Sequence, residues 1–150
     1  MTKDCDDALE DTEMTLRDRA STLVNRGVVY NNGRKFDSAL TDFQAALAID
    51  SEIPEAYLNR GNSRFFEGRL QEAIADYTHA IDLNIERMSA ALYNRSLAYG
   101  QIGDFKSARA DLQAAVALSP DFKEAQAQLA LLNEILAQSP AATSTAAQPQ

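Results

Sequence analysis

The sequence predicts an all-α solenoid: three helical hairpins, preceded by one lone helix and closed by a capping helix. Three observations carry that expectation. The triplets Asn25-Arg26-Gly27, Asn59-Arg60-Gly61 and Asn94-Arg95-Ser96 recur at intervals of 34 and then 35 residues, and self-similarity at such a period marks stacked repeats. Fourteen residues after each triplet begins stands an Ala-x-x-Asp-apolar block (Ala39, Asp42, Phe43; Ala73, Asp76, Tyr77; Ala108, Asp111, Leu112), followed by Ala46, Ala80 and Ala115. Within each unit, two apolar patterns at three- and four-residue spacing are broken by a glycine-containing corner (Gly33-Arg34-Lys35, Gly68-Arg69, Gly103-Asp104), which reads as two amphipathic helices and a tight turn.

Taken in chain order, residues 1–19 form an acidic segment whose stretch 4–14 reads as a lone helix, half a repeat or a cap, with Ala8 and Leu9 facing inward. Its seven acids and three bases leave a local charge of -4, half of the chain's -8. The repeat region covers 20–137, divided as 20–53, 54–88 and 89–120, with a capping helix at 121–137. The first helices of the hairpins are expected at 17–32, 54–67 and 86–102, the second at 36–49, 70–83 and 105–118. Pro54 suits a helix start, where a missing N–H costs nothing, and Pro120 marks the break before the last helix. That helix alternates Phe122, Ala125, Leu129, Leu132 and Leu136 with polar residues, as an end repeat with one wet face must. Residues 138–150 hold no charge and no large apolar side chain, which predicts a flexible tail.

The small residues have a steric reason. Gly27, Gly61 and Ser96 on one helix, with Ala39, Ala73 and Ala108 on its partner, let antiparallel helices approach closely. Leu23, Tyr57 and Leu92, with Phe43, Tyr77 and Leu112, then fill the space between them.

Composition excludes several function classes. A net charge of -8 and a pI near 4.6 repel phosphate backbones, whose affinity for proteins comes largely from Lys and Arg displacing counterions, so no nucleic-acid partner is expected. No apolar run approaches a membrane span, and the N-terminus lacks a basic-then-apolar secretory layout; the chain is expected to be soluble, cytoplasmic as it stands and periplasmic if an export signal has been removed. Cys5 and His79 are the only cysteine and histidine and lie far apart in the repeat order, too few for a nucleophilic centre or a tetrahedral metal site. Neither GxGxxG nor GxxxxGK[ST] occurs, so no phosphate loop is visible. No enzymatic activity, metal or cofactor is expected.

The units resemble tetratricopeptide repeats, whose 34-residue signature sets an aromatic, Leu-Gly and Tyr on the first helix and Ala-x3-Phe on the second. Unit one matches through Leu23, Gly27, Tyr30, Ala39, Phe43 and Ala46, unit two through Tyr57, Gly61, Ala73, Tyr77 and Ala80, and unit three through Leu92, Ser96, Tyr99, Ala108, Ala115 and Pro120. The resemblance implies a right-handed stack, and the Asn-Arg-Gly triplets suggest a bacterial-type member. Departures fall at Arg64, where the signature has an aromatic, at Ser51 and Ile85, where it has proline, and in one extra residue within 84–89.

Every unit also pairs an arginine with an aspartate sixteen residues on: Arg26 with Asp42, Arg60 with Asp76, Arg95 with Asp111. The expectation is a guanidinium fork gripping a carboxylate across each hairpin; a row of arginines for acidic ligands is the other reading. A second helix face carries Val24, Val28, Asn31, Leu58, Asn62, Phe65, Tyr93 and Leu97, too apolar for solvent. It either packs neighbouring hairpins together or, as the resemblance implies, lines a concave groove for a peptide or helix of a partner protein, edged by Asn25, Asn59 and Asn94. Chaperone-binding members of the family use a Lys, Arg and Asn clamp there. Val24 and Val28 stand in the matching stretch, so that clamp is not expected, and the groove suits an apolar or amphipathic segment. A structural or self-associating role is the alternative.

Overall fold

The structure, a computed structural model, describes residues 1–138; the expected tail lies almost wholly outside them. Among the described residues there are eight helices and no strand: α1 (Thr2–Leu9), α2 (Leu16–Asn32), α3 (Phe36–Ile49), α4 (Pro54–Phe66), α5 (Leu70–Asp82), α6 (Met88–Gln101), α7 (Phe105–Leu118) and α8 (Lys123–Gln138). Each packs on the next in chain order, with α2–α3, α4–α5 and α6–α7 as the closest pairs. The result is a one-dimensional stack of three hairpins, with α1 against one end and α8 against the other, as an all-α solenoid requires. No described helix is long and apolar enough to cross a membrane.

Local chemistry sets the boundaries. Thr15 caps α2, its hydroxyl accepting the Asp18 N–H at 3.1 Å, and Asp104 caps α7 by accepting the Ser107 N–H at 3.0 Å; each satisfies a donor that the first turn leaves free. Pro54 opens α4. At the corners, Gly68 (φ +76°) and Gly103 (φ +82°) take the left-handed position, which Arg34 (φ +57°) occupies in unit one. Gly33, which the sequence offers as that corner's flexible residue, has φ -84°.

Three helices, α1, α6 and α8, have a boundary that differs from expectation by two residues or more. α1 stops at Leu9 rather than 14 because the chain turns at 10–15, where Asp11 accepts the Glu13 N–H at 2.9 Å and competes with the helix. α6 starts at Met88 instead of 86, since Asn84 is left-handed (φ +56°) and Ile85 is driven into the core at 2% exposure; the extra residue of this connection is absorbed there. α8 begins two residues after Asp121.

The core follows the repeat. Ala39, Phe43 and Ala46 in unit one, and Ala73, Tyr77 and Ala80 in unit two, are fully buried, where small residues let the backbones close and one ring per hairpin fills the gap. Tyr57 departs from its expected place: it is half-buried, its ring stacked on His79 at 5.0 Å and lying 5.3 Å beneath the Arg60 guanidinium.

Candidate interaction groove

All three arginine–aspartate pairs form two-pronged contacts between the helices of a hairpin. Arg26 reaches Asp42 at 2.8 and 2.7 Å, Arg60 reaches Asp76 at 3.0 and 2.7 Å, and Arg95 reaches Asp111 at 2.7 and 2.8 Å, through Nε and Nη2 each time. The carboxylates are buried, which raises the strength of the interaction and the cost of losing either partner. Hydrogen bonding to Asp42 holds the Arg26 guanidinium charged beyond its already basic range, against the opposing effect of burial. The third arm also works between elements: Arg26 Nη1 donates to Asp6 on α1 at 2.6 Å and Arg95 Nη1 to Thr78 on α5 at 2.9 Å.

Unit two differs, because Arg64 replaces the tyrosine that sits 5.8 Å below the arginine in units one and three. Arg64 folds inward onto Asp76 at 2.7 Å, so that one carboxylate carries two guanidiniums. Its Nε is buried without a partner among the described residues.

The expected groove residues separate into two groups. Val24 and Leu58 are buried, at 8% and 3% exposure, in the apolar clusters of units one and two, and Val28 packs against the cluster that holds Val24. These side chains join hairpins instead of facing a ligand, for the first helix of each unit is gripped on two sides. Tyr93 leans on Phe122, the residue just before α8, with ring centres 5.0 Å apart. The asparagines are also engaged: Asn31 donates to the Asn59 carbonyl at 2.9 Å and accepts from Ser63 at 2.6 Å, while Asn59 donates to Glu55 of its own helix at 2.8 Å. Asn62 accepts from both Tyr77 and Asn94 at 3.0 Å. Asn25 is exposed.

Asn62, Phe65, Asn94 and Leu97 do come together, along the wall of a groove over α4 and α6. A cleft of about 180 Å³ lies among these four residues, Phe66 and Tyr77. Through Phe65 and Leu97 it meets a larger one of about 330 Å³, reaching Gly100, Gln101 and Phe105 on one side and Gln128, Leu131, Leu132 and Ile135 of α8 on the other. None of the described residues lining either cleft is charged. Phe66 (63% exposed), Leu131 (52%), Ile135 (44%) and Phe105 (38%) leave apolar surface open to water at its rim.

Sequence reasoning missed the α8 side of this groove. The available signal was the pair Leu131 and Ile135, four apart on α8 and outside its inward stripe. Phe66 carried another, being one of two adjacent rings at the end of a helix needing only one inside. His79 is exposed and Cys5 half-buried on α1, and no cluster of three or more metal-ligating side chains occurs among the described residues.

Comparison with known proteins places this geometry. A model of the tetratricopeptide repeat matches residues 24–87, 58–121 and 93–148. Tetratricopeptide repeat protein 36 of Danio rerio is 30% identical over 141 residues, covering 89% of this chain and 74% of that protein. A DnaJ homolog subfamily C member 7 homolog from Schizosaccharomyces pombe is 35% identical over 92 residues, or 56% of this chain, and the match spans only 19% of the yeast protein's length. Among solved structures, the first tetratricopeptide domain of Spaghetti (RPAP3), bound to the HSP90 peptide SRMEEVD, has the same fold, with a TM-score of 0.76 at 24% identity over 80% of this chain and 94% of that one. With its repeats matched through nearly their whole span and its hairpins stacked in the same manner, the chain belongs to the tetratricopeptide repeat family.

Proposed function

We propose that the chain is a non-catalytic protein-interaction module which holds an apolar or amphipathic segment of a partner protein in the groove over α4, α6 and α8. The observation that carries this reading is the run of Phe66, Phe65, Leu97, Leu131 and Ile135, an apolar surface that the fold shapes into a trough and leaves open. Contiguous exposed apolar patches on soluble proteins mark interaction sites, and helical grooves of this kind take segments that present apolar residues on one face. The RPAP3 domain, similar in fold, holds an acidic peptide. An uncharged lining offers no counter-charge to such a sequence, so this groove is suited to a different class of segment. The paired arginines act as struts, since their carboxylate partners already occupy them.

Panning a random peptide library displayed on phage against wild type and Leu97→Asp tests the reading. Peptides enriched on wild type should compete with one another and lose at least tenfold in affinity for the variant, whose helical content is checked by circular dichroism. Enriched peptides that bind both proteins equally would place the site elsewhere.

A further inference from the structure

We infer that the α8 end of the groove is an anchor pocket for one ring-bearing side chain, Trp or Tyr above all, projecting from a partner segment with basic residues around it. The inference rests on the groove reading above and follows from what unit three lacks. In unit two, Phe65, Phe66 and Tyr77 supply three rings; thirty-five residues on, their counterparts are Gly100, Gln101 and Leu112. The Tyr77 ring lies so close to Gly61 that an added Cβ would stand 2.7 Å from it, whereas a Cβ added at Gly100 would meet nothing within 4 Å. Ser96 replaces the glycine of unit three, and Leu112 the ring that the glycine would have admitted. Loss of these rings leaves a cavity of about 330 Å³ with Gly100, Gln101 and Leu112 all in its lining.

Its chemistry selects the occupant. The floor is Leu112 and Leu132, both buried, and a charged side chain entering there would lose its hydration without a counter-charge. Phe65 and Phe105 stand in the walls, and rings pack well against rings in offset or edge-on geometry. Gln101 and Gln128 add amide groups to a lining whose one other polar side chain, Ser96, already donates to the Tyr93 carbonyl, a match for an indole N–H or phenol O–H. The volume lies at the bottom of the range for small-molecule sites, about 300–1,000 Å³, which fits one anchoring side chain of a longer segment. Buried Trp and Tyr anchors carry much of the energy of protein interfaces. The chain's net charge of -8, half of it in residues 1–19 at the other end of the stack, favours a basic over an acidic segment at long range, and beside the pocket exposed Glu134, next to Ile135, offers a partner for a flanking Lys or Arg, with Lys106 and Arg109 exposed on the α7 side.

The peptides selected on wild type are the probe, each made with and without alanine at its ring position and titrated by fluorescence anisotropy against wild type, Gly100→Phe and Leu97→Asp. Gly100→Phe restores the ring that unit two carries, and Gly100→Leu serves if the first variant folds poorly; both are checked by thermal melting. The expected result is a consensus of Trp or Tyr beside Lys or Arg, a loss of at least tenfold on replacing the ring by alanine, and a similar loss on filling the pocket. Selected peptides without a ring, or binding that survives a filled pocket but not Leu97→Asp, would overturn the anchor and leave the groove standing. A library that yields no binder, or binders indifferent to both substitutions, would overturn groove and anchor together.

Discussion

A Cβ placed on Gly27 would stand 2.6 Å from Cε1 of Phe43, so the first hairpin closes only because one partner has no side chain and the other is a ring. Phe43 is fully buried and cannot swing away. Gly27→Ala is expected to lower stability by about 1–3 kcal/mol, the usual cost of overpacking. Combining it with Phe43→Leu imitates the Ser96 and Leu112 arrangement of unit three, so the double variant should lose less than the sum of the singles. Urea denaturation of the four proteins measures the coupling.

Gly100 is the opposite case, a glycine inside α6 with open space where its Cβ would lie. Gly100→Ala should raise stability by about 0.5–1 kcal/mol through helix propensity alone. A melting temperature below that of wild type would mean that the glycine has a backbone role.

Asp76 is held by both Arg60 and Arg64 at 2.7 Å, and all three side chains are largely withdrawn from solvent. Asp76→Ala leaves Arg60 without a carboxylate and Arg64 with only its longer contact to the half-exposed Glu72 at 3.5 Å, and should cost about 3–5 kcal/mol. Asp42→Ala should cost less, because Arg26 keeps its contact with Asp6. Equal losses in chemical denaturation would show that the second arginine adds nothing.

Asp104 gives a pH signature. Its hydrogen bonds from the Ser107 hydroxyl and N–H, with Lys106 nearby, hold its carboxyl below the ordinary aspartate value. A depressed folded-state pKa means that the stabilisation is fully present above the unfolded value of about 4 and is lost as pH falls through the lower, folded one. Asp104→Ala should therefore melt below wild type at pH 7, and the gap should shrink as the buffer is taken below pH 4. A gap independent of pH would assign the effect to helix propensity instead of the cap.

Much of the fold was legible because each unit repeats its own instructions. The triplet beginning at Asn25, the block at Ala39 and the corner at Gly33 recur at one period, so each copy corrects the reading of the others. Corner chemistry was less legible: Gly33 looks like the left-handed residue, yet register puts Arg34 there. The groove was half legible. Asn62, Phe65, Asn94 and Leu97 reach it, but Val24 and Leu58, at similar helix positions, are covered by the neighbouring hairpin. Helical periodicity gives the direction in which a side chain leaves its helix and carries no record of what stands opposite.

By itself the sequence determined the elements and their pairing, including the arginine forks, since spacing of 34 or 35 residues and of sixteen residues is a property of the chain alone and short corners force adjacent helices together. The tertiary structure alone decided where the apolar face stays open. That outcome depends on α8 lying beside α6 and on the absence, at Gly100 and Leu112, of rings that unit two possesses, and a void between helices distant in sequence is set by packing that no single segment encodes.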